Sequence, residues 1–156
     1  MNAQVTQLSP IRVAMMRHTG PYDGLGPVFD KLWSWVELSG AETMRTIGIY
    51  YDNPDFTPAA QLRSAACFEV RGGYQMENNH GMPVSIEEIP GGTYVTTRFV
   101  GPYEKLEPVW TELTNYIEGT LGRQISEVNP AFEIYVNDAS ETPPDELITE
   151  LYMPVV

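Results

Sequence analysis

The sequence predicts an α+β fold: two tandem strand-helix-strand-strand modules related by a pseudo-twofold, with mainly antiparallel sheet, two long helices and a central cleft. Three repeated segments carry this reading. Gly20-Pro21-Tyr22 recurs as Gly101-Pro102-Tyr103, each after a short apolar segment and before an amphipathic stretch carrying tryptophan. Ile49-Tyr50-Tyr51-Asp52-Asn53 recurs as Ile134-Tyr135-Val136-Asn137-Asp138, and Leu62 to Val70 recurs as Leu147 to Val155. The first match has an offset of 81 residues and the others 85, so one four-residue loop difference reconciles them. Repetition at this length implies two similar modules side by side, with their interface a natural place for a shared cleft. The copies, approximately 4–76 and 84–156, differ at one telling place: Gly48 stands where the second copy has Glu133.

Each element follows from local chemistry. Ile11 to Arg17 is apolar enough for a strand, which Thr19-Gly20-Pro21 ends. Asp23 can cap a helix running to about Leu38, because Leu25, Val28, Phe29, Leu32, Trp35 and Val36 share one helical face. Ser39-Gly40 stops it. Thr46 to Asp52 is a β-branched and aromatic strand, and Asn53 to Pro58 cannot continue a ladder. Leu62 to Val70 returns antiparallel. Arg71 to Pro83 is a turn-rich seam, too short for a flexible interdomain linker, so residues 1–156 should pack as one domain. Val84 to Ile89 is a strand; Pro90-Gly91-Gly92 turns into another from Thr93 to Val100. A second helix spans about Glu104 to Leu121, with Leu106, Val109, Leu113, Tyr116, Ile117 and Leu121 on one face. Phe132 to Val136 and Glu146 to Val155 are the last strands, joined by the Pro-rich and acidic loop Asn137 to Asp145.

Bulk properties narrow the function. The 156 residues suffice to bury a core, and 42% hydrophobic with 19% charged residues reads as globular. The formal net charge is −12, from 21 acidic and 9 basic side chains, which disfavours direct nucleic-acid binding. The same charge attracts cationic small molecules or a basic face on a protein partner, though plain cytosolic proteins are often acidic too. Cys67 stands alone, so no intrachain disulfide framework exists. Met1 to Pro10 lacks the basic start and apolar run of a signal peptide, and no stretch approaches the roughly 20 apolar residues of a membrane span. The expectation is a cytoplasmic protein without membrane contact.

Most catalytic signatures are missing: no Gly-x-Ser-x-Gly elbow, no paired Cys or His-Glu-x-x-His spacing, no phosphate loop ending in Gly-Lys. No metal or cofactor is expected. Gly20, Gly24 and Gly26 serve a turn, His18 and His80 read as turn or surface residues, and Cys67 as a small buried strand residue. Glu133 is the exception. It interrupts the apolar strand Phe132-Glu133-Ile134-Tyr135-Val136, whose alternation puts Glu133 and Tyr135 on one face. Two readings fit it: a solvent-facing Glu on an edge strand, or a carboxylate beside aromatics that receives a flat cation. A buried carboxylate without a partner costs several kcal/mol, so the second reading demands one. Tyr50 and Tyr135 occupy equivalent places and should face each other across the pseudo-twofold. Trp33, Trp35 and Trp110 lie on the helices; taken singly each aromatic reads as core, while the set around a carboxylate points to a site.

These residues give the chain a resemblance to the GyrI-like family, which includes a DNA gyrase inhibitor and the effector-binding domains of multidrug-responsive transcription regulators. The segments that carry it are Tyr50-Tyr51-Asp52-Asn53-Pro54-Asp55 with Thr57-Pro58-Ala59 and Leu62-Arg63, then Phe132-Glu133-Ile134-Tyr135. His18-Thr19-Gly20-Pro21-Tyr22 and Glu150-Leu151-Tyr152-Met153-Pro154-Val155 also fit. The resemblance implies a tandem strand-helix-strand-strand fold with a buried glutamate that contacts lipophilic cations, here Glu133 of Glu133-Ile134-Tyr135. By location, Tyr135, Tyr50, Trp110, Tyr152 and Trp33 complete the expected ligand site. No attached helix-turn-helix segment is visible in the chain. The leading expectation is therefore a non-enzymatic binder of hydrophobic or cationic small molecules or toxins, which sequesters them or presents them to a partner. One alternative is protein-protein inhibition of DNA gyrase; a transcription regulator is another candidate partner. A further alternative, also implied by the resemblance, is hydrolysis of cyclopropane-bearing toxins with Glu133 activating water.

Overall fold

Strand alternation and helical periodicity resolve into eight strands and two helices in the computed structural model, which describes residues 1–156. The elements begin with β1 (Ala3–Leu8), β2 (Ile11–Thr19), α1 (Leu25–Ser39), β3 (Thr43–Tyr50) and β4 (Arg63–Val70). They continue with β5 (Ser85–Ile89), β6 (Gly92–Val100), α2 (Leu106–Asn115), β7 (Ala131–Tyr135) and β8 (Ile148–Pro154). The α+β class, the antiparallel pairing and the two helices are as the sequence predicts. No helix is long and apolar enough to cross a membrane.

Two compact units form, one from Pro10–Pro90 and one from Met1–Ser9 with Gly91–Val156. In the first, the strand order is β3-β4-β2-β5; in the second it is β1-β6-β8-β7. The units are cut differently from the sequence repeat, because β1 pairs with β6 while β5 pairs with β2. Each repeat therefore lends its short leading strand to the other repeat's sheet. Strand β1 has no counterpart among the predicted elements. Its residues, Ala-Gln-Val-Thr-Gln-Leu, are too polar for a periodicity signal, and ladder bonds to β6 rather than burial hold it.

In the Pro10–Pro90 unit, Leu25, Leu32, Trp35 and Val36 of α1 pack on Ala14 and Met16 of β2 and Ala66, Phe68 and Val70 of β4. Gly40 ends the helix at φ +67, a left-handed conformation that costs glycine least, and its N–H reaches Val36 O at 2.9 Å. Asp23 does not cap α1 as expected. It sits within a 3₁₀ turn, Tyr22–Gly24, and no side chain caps the helix. In the other unit, Leu106, Leu113 and Ile117 pack on Val95, Leu151 and Val155. The expected second helix is segmented into a 3₁₀ turn at Tyr103–Lys105, α2, and a π-helical turn at Tyr116–Thr120. On the opposite face of this sheet Tyr94, Phe132 and Tyr152 form an aromatic cluster.

Candidate functional site

Register fixes which side chains share the helix-covered face of the Gly91–Val156 sheet. Glu133 on β7 lies opposite Leu151 on β8, which in turn lies opposite Thr97 on β6. Leu151 is in the core beneath α2, so Glu133 points to the helix side. Only 3% of Glu133 is exposed, which eliminates the solvent-facing reading.

A carboxylate removed from water keeps its charge cheaply only when hydrogen bonds replace hydration. Here each oxygen receives one. Trp110 on α2 donates its indole Nε1–H to Oε2 at 2.8 Å, and Tyr135 donates its hydroxyl to Oε1 at 2.9 Å. Bonds to a charged acceptor are each worth about 1.5–3 kcal/mol, comparable with the desolvation they oppose. Tyr135 reaches Glu133 because residues i and i+2 of a strand point the same way. Trp110 reaches it from above the sheet, one turn into α2 and partly buried against the core.

A third ring closes on this pair. Tyr103 meets Tyr135 edge-on, with centroids 5.5 Å apart and planes at 62°. Burial raises its hydroxyl pKa above the ordinary phenol value, and the negative charges of Glu133 and Asp138 add to the rise. The chain reaches this position through Gly101, whose φ of +153 and bare Cα are both required, since a Cβ there would meet Phe99 at 2.7 Å. The Gly101 N–H also donates to Leu147 O at 2.8 Å, fastening the turn to the strand beside the site. Tyr103 was not among the expected site residues. Its signal was present in the recurrence of Gly-Pro-Tyr, which marks the tyrosine after the turn as a duplicated position.

The remaining expected residues are placed by their own sheets. Tyr152 lies directly opposite Phe132, not Glu133, and so projects from the reverse face of the sheet. There it stacks on Phe132 at 4.7 Å with planes 6° apart. Tyr50 belongs to the Pro10–Pro90 unit, where it meets Tyr22 edge-on at 4.9 Å. Trp33, on α1 of that unit, leaves 48% of its surface exposed and contacts Phe68 edge-on at 5.5 Å. His18 braces its turn, with Nε2 3.1 Å from Pro21 O, and His80 lies in a loop at φ 54. Cys67 is fully buried and burial pushes its thiol pKa far up, so it is no nucleophile. No group of three or more His, Cys, Asp or Glu could hold a metal ion.

What this arrangement can do chemically is present one negative charge, two displaceable aromatic donors and ring surfaces to a guest of opposite charge. Comparison with known proteins shows the family and the fold. The model of a GyrI-like small molecule binding domain matches residues 1–156. A DNA gyrase inhibitor of Escherichia fergusonii is 30% identical over 159 residues, an alignment spanning 100% of this chain and 99% of that protein. The crystal structure of the EcmrR C-terminal domain superposes with a TM-score of 0.79 at 20% identity, covering 99% of this chain and 97% of that one. In the EcmrR–DNA complex the match spans 57% of the EcmrR chain. The structure of SAV2435 bound to tetraphenylphosphonium superposes with a TM-score of 0.66 at 15% identity, covering 100% and 94% of the two chains. At such identities these superpositions establish a common fold.

Proposed function

This chain belongs to the GyrI-like small molecule binding domain family, and from that premise we propose that it binds lipophilic organic cations at Glu133. The observation that carries the reading is a glutamate only 3% exposed, with one oxygen on an indole N–H and the other on a phenol. Such a carboxylate has given up hydration without leaving the reach of aromatic faces. An incoming cation regains Coulomb energy in a low-dielectric setting and lays its hydrocarbon against Trp110, Tyr135 and Tyr103. Cation–π contact adds about 0.5–2 kcal/mol per favourable ring. The formal charge of −12 draws cations toward the protein before contact. That SAV2435 is seen with tetraphenylphosphonium on the same fold supports this ligand class.

Tryptophan fluorescence tests the proposal. Tetraphenylphosphonium titrated into the protein should change the emission saturably, because Trp110 contacts the carboxylate that receives the cation. A linear, unsaturated response equal to that of free tryptophan would remove the reading.

The gyrase-inhibitor relatives favour a second reading: antagonism of a topoisomerase through protein contact. The acidic charge would meet a basic partner surface, so inhibition should weaken as salt screens it over about 8 Å at physiological ionic strength. A supercoiling assay with excess purified protein decides this. Unimpaired supercoiling would eliminate it without touching the cation site.

A further inference from the structure

Thr149 is fully buried, and its hydroxyl oxygen has no hydrogen-bond partner. An unsatisfied buried hydroxyl costs about 1–3 kcal/mol, so its presence calls for a reason. Its position supplies one. On β8, Thr149 lies directly opposite Tyr135, and paired residues of antiparallel strands project to the same face with Cβ atoms about 5 Å apart. Glu133 is two residues before Tyr135 on β7, on that same face. Tyr135 is thus the cross-strand neighbour of the buried hydroxyl, and its own hydroxyl donates to Glu133 Oε1. On its other side Thr149 lies opposite Phe99 of β6, an apolar neighbour that offers no donor.

We propose that Thr149 is a specificity-determining residue of the Glu133 site, pairing with a polar N–H on the bound cation. This rests on the cation-binding reading above and adds the substrate class within it: aromatic cations that carry a hydrogen-bond donor. A cation that takes Glu133 Oε1 displaces the Tyr135 hydroxyl from that oxygen. The ring can then turn about its side-chain torsions, opening Thr149 Oγ1 to an amino group on the guest. The hydroxyl gains its partner only in the occupied state, so the contact adds to affinity without stabilising the empty protein. Ser64, the residue with an 85-residue offset, is likewise buried and unpartnered opposite Tyr50. The duplicated hydroxyl–tyrosine pair occurs in both units, but only one of them has a glutamate two residues before the tyrosine.

A matched pair of ligands isolates the hydroxyl. Tetraphenylphosphonium has no hydrogen-bonding group; (4-aminophenyl)triphenylphosphonium differs from it by one amino group. Binding of both should be measured by calorimetry with the wild-type protein, Thr149→Val, Thr149→Ser and Glu133→Gln. Thr149→Val should weaken the amino compound about fivefold, the loss of one neutral hydrogen bond, and change tetraphenylphosphonium less than twofold. Thr149→Ser should restore the amino compound. The melting temperature of Thr149→Val should equal or exceed that of wild type. Equal losses for both ligands, no loss for either, or a lowered melting temperature would overturn the proposal, the last by showing the hydroxyl already partnered in the empty protein. If Glu133→Gln weakens both ligands while Thr149→Val weakens neither, the cation reading stands and this one falls. If wild type binds neither, both fall.

Discussion

The two units pack a helix on a four-stranded sheet with the same leucine stripe, and they diverge in the row of the sheet that holds Glu133. In the Gly91–Val156 sheet, the row beneath α2 reads Thr97, Leu151, Glu133. The matching row beneath α1 reads Met16, Ala66, Gly48. The helix residue over each row differs accordingly: Trp110 donates to Glu133, whereas its counterpart at the 81-residue offset, Phe29, packs edge-on to Phe68 at 6.1 Å. The tyrosine pair is retained in both, as Tyr103–Tyr135 and Tyr22–Tyr50. Tyr135 donates its hydroxyl to a carboxylate, and Tyr22, the counterpart of Tyr103, donates its own to the backbone carbonyl of Asp52. One copy has put its volume into Met16 and a bare backbone at Gly48. The other has replaced that hydrocarbon with a charge and the donor needed to keep it. The two copies thus share a scaffold, and the glutamate with its indole donor marks the candidate site in one of them.

The comparison breaks most severely if the charge is moved without its donor. Gly48→Glu would bury a carboxylate beneath Phe29, which has no N–H, and should cost roughly 3 kcal/mol or more of stability. Adding Phe29→Trp should recover part of that loss. Urea unfolding of the single and double variants measures both, and an unchanged midpoint for Gly48→Glu would show the two environments to be interchangeable.

The converse change is milder. Trp110→Phe gives the second copy the residue of the first and leaves Glu133 Oε2 without its indole donor, at a cost of about 1–3 kcal/mol. Trp110→His would keep a ring N–H and should lose less. Thermal melts of the pair separate loss of the donor from loss of ring volume.

The smallest effect concerns the hairpins that carry the two tyrosines. Asp52 takes two hydrogen bonds from the Arg63 side chain, at 2.8 and 3.0 Å, and one from its backbone N–H at 2.8 Å. The other hairpin has Asn137 instead, bonded to Ile148 N–H at 2.9 Å and Glu146 O at 3.0 Å. The Arg63 side chain lowers the Asp52 pKa from its ordinary 3.8. A carboxylate with a depressed folded pKa contributes stability above its unfolded value and loses it as pH falls through the folded one. Stability should therefore decline below about pH 4, and Asp52→Asn should flatten that decline while leaving the Asn137 hairpin unaffected. Parallel acid profiles for variant and wild type would contradict this.

Much of the fold was legible because duplication gives each signal twice. The helix stripes Leu25–Leu32–Val36 and Leu106–Leu113–Ile117 are strong at helical period, and both are buried as that period demands. Strand β1 was not legible, since its residues gain ladder bonds rather than burial. At the site, Glu133 stood out because a charge in an apolar strand is rare, and Tyr135 followed from alternation. The sequence marked Trp110 only as an aromatic on a helix; its bond to Glu133 depends on how α2 is set over the sheet. Tyr152 shows where alternation stops. Alternation within β8 could not say which of its faces matched Glu133 until the register placed it against Phe132.

The central claim, that the Glu133 carboxylate is what receives an organic cation, is tested most directly by titrating tetraphenylphosphonium calorimetrically into wild type and Glu133→Gln. Saturable binding by wild type and at least a tenfold loss in the variant, about 1.4 kcal/mol or more, are expected, with the variant still folded. Equal affinity in the two proteins would contradict it.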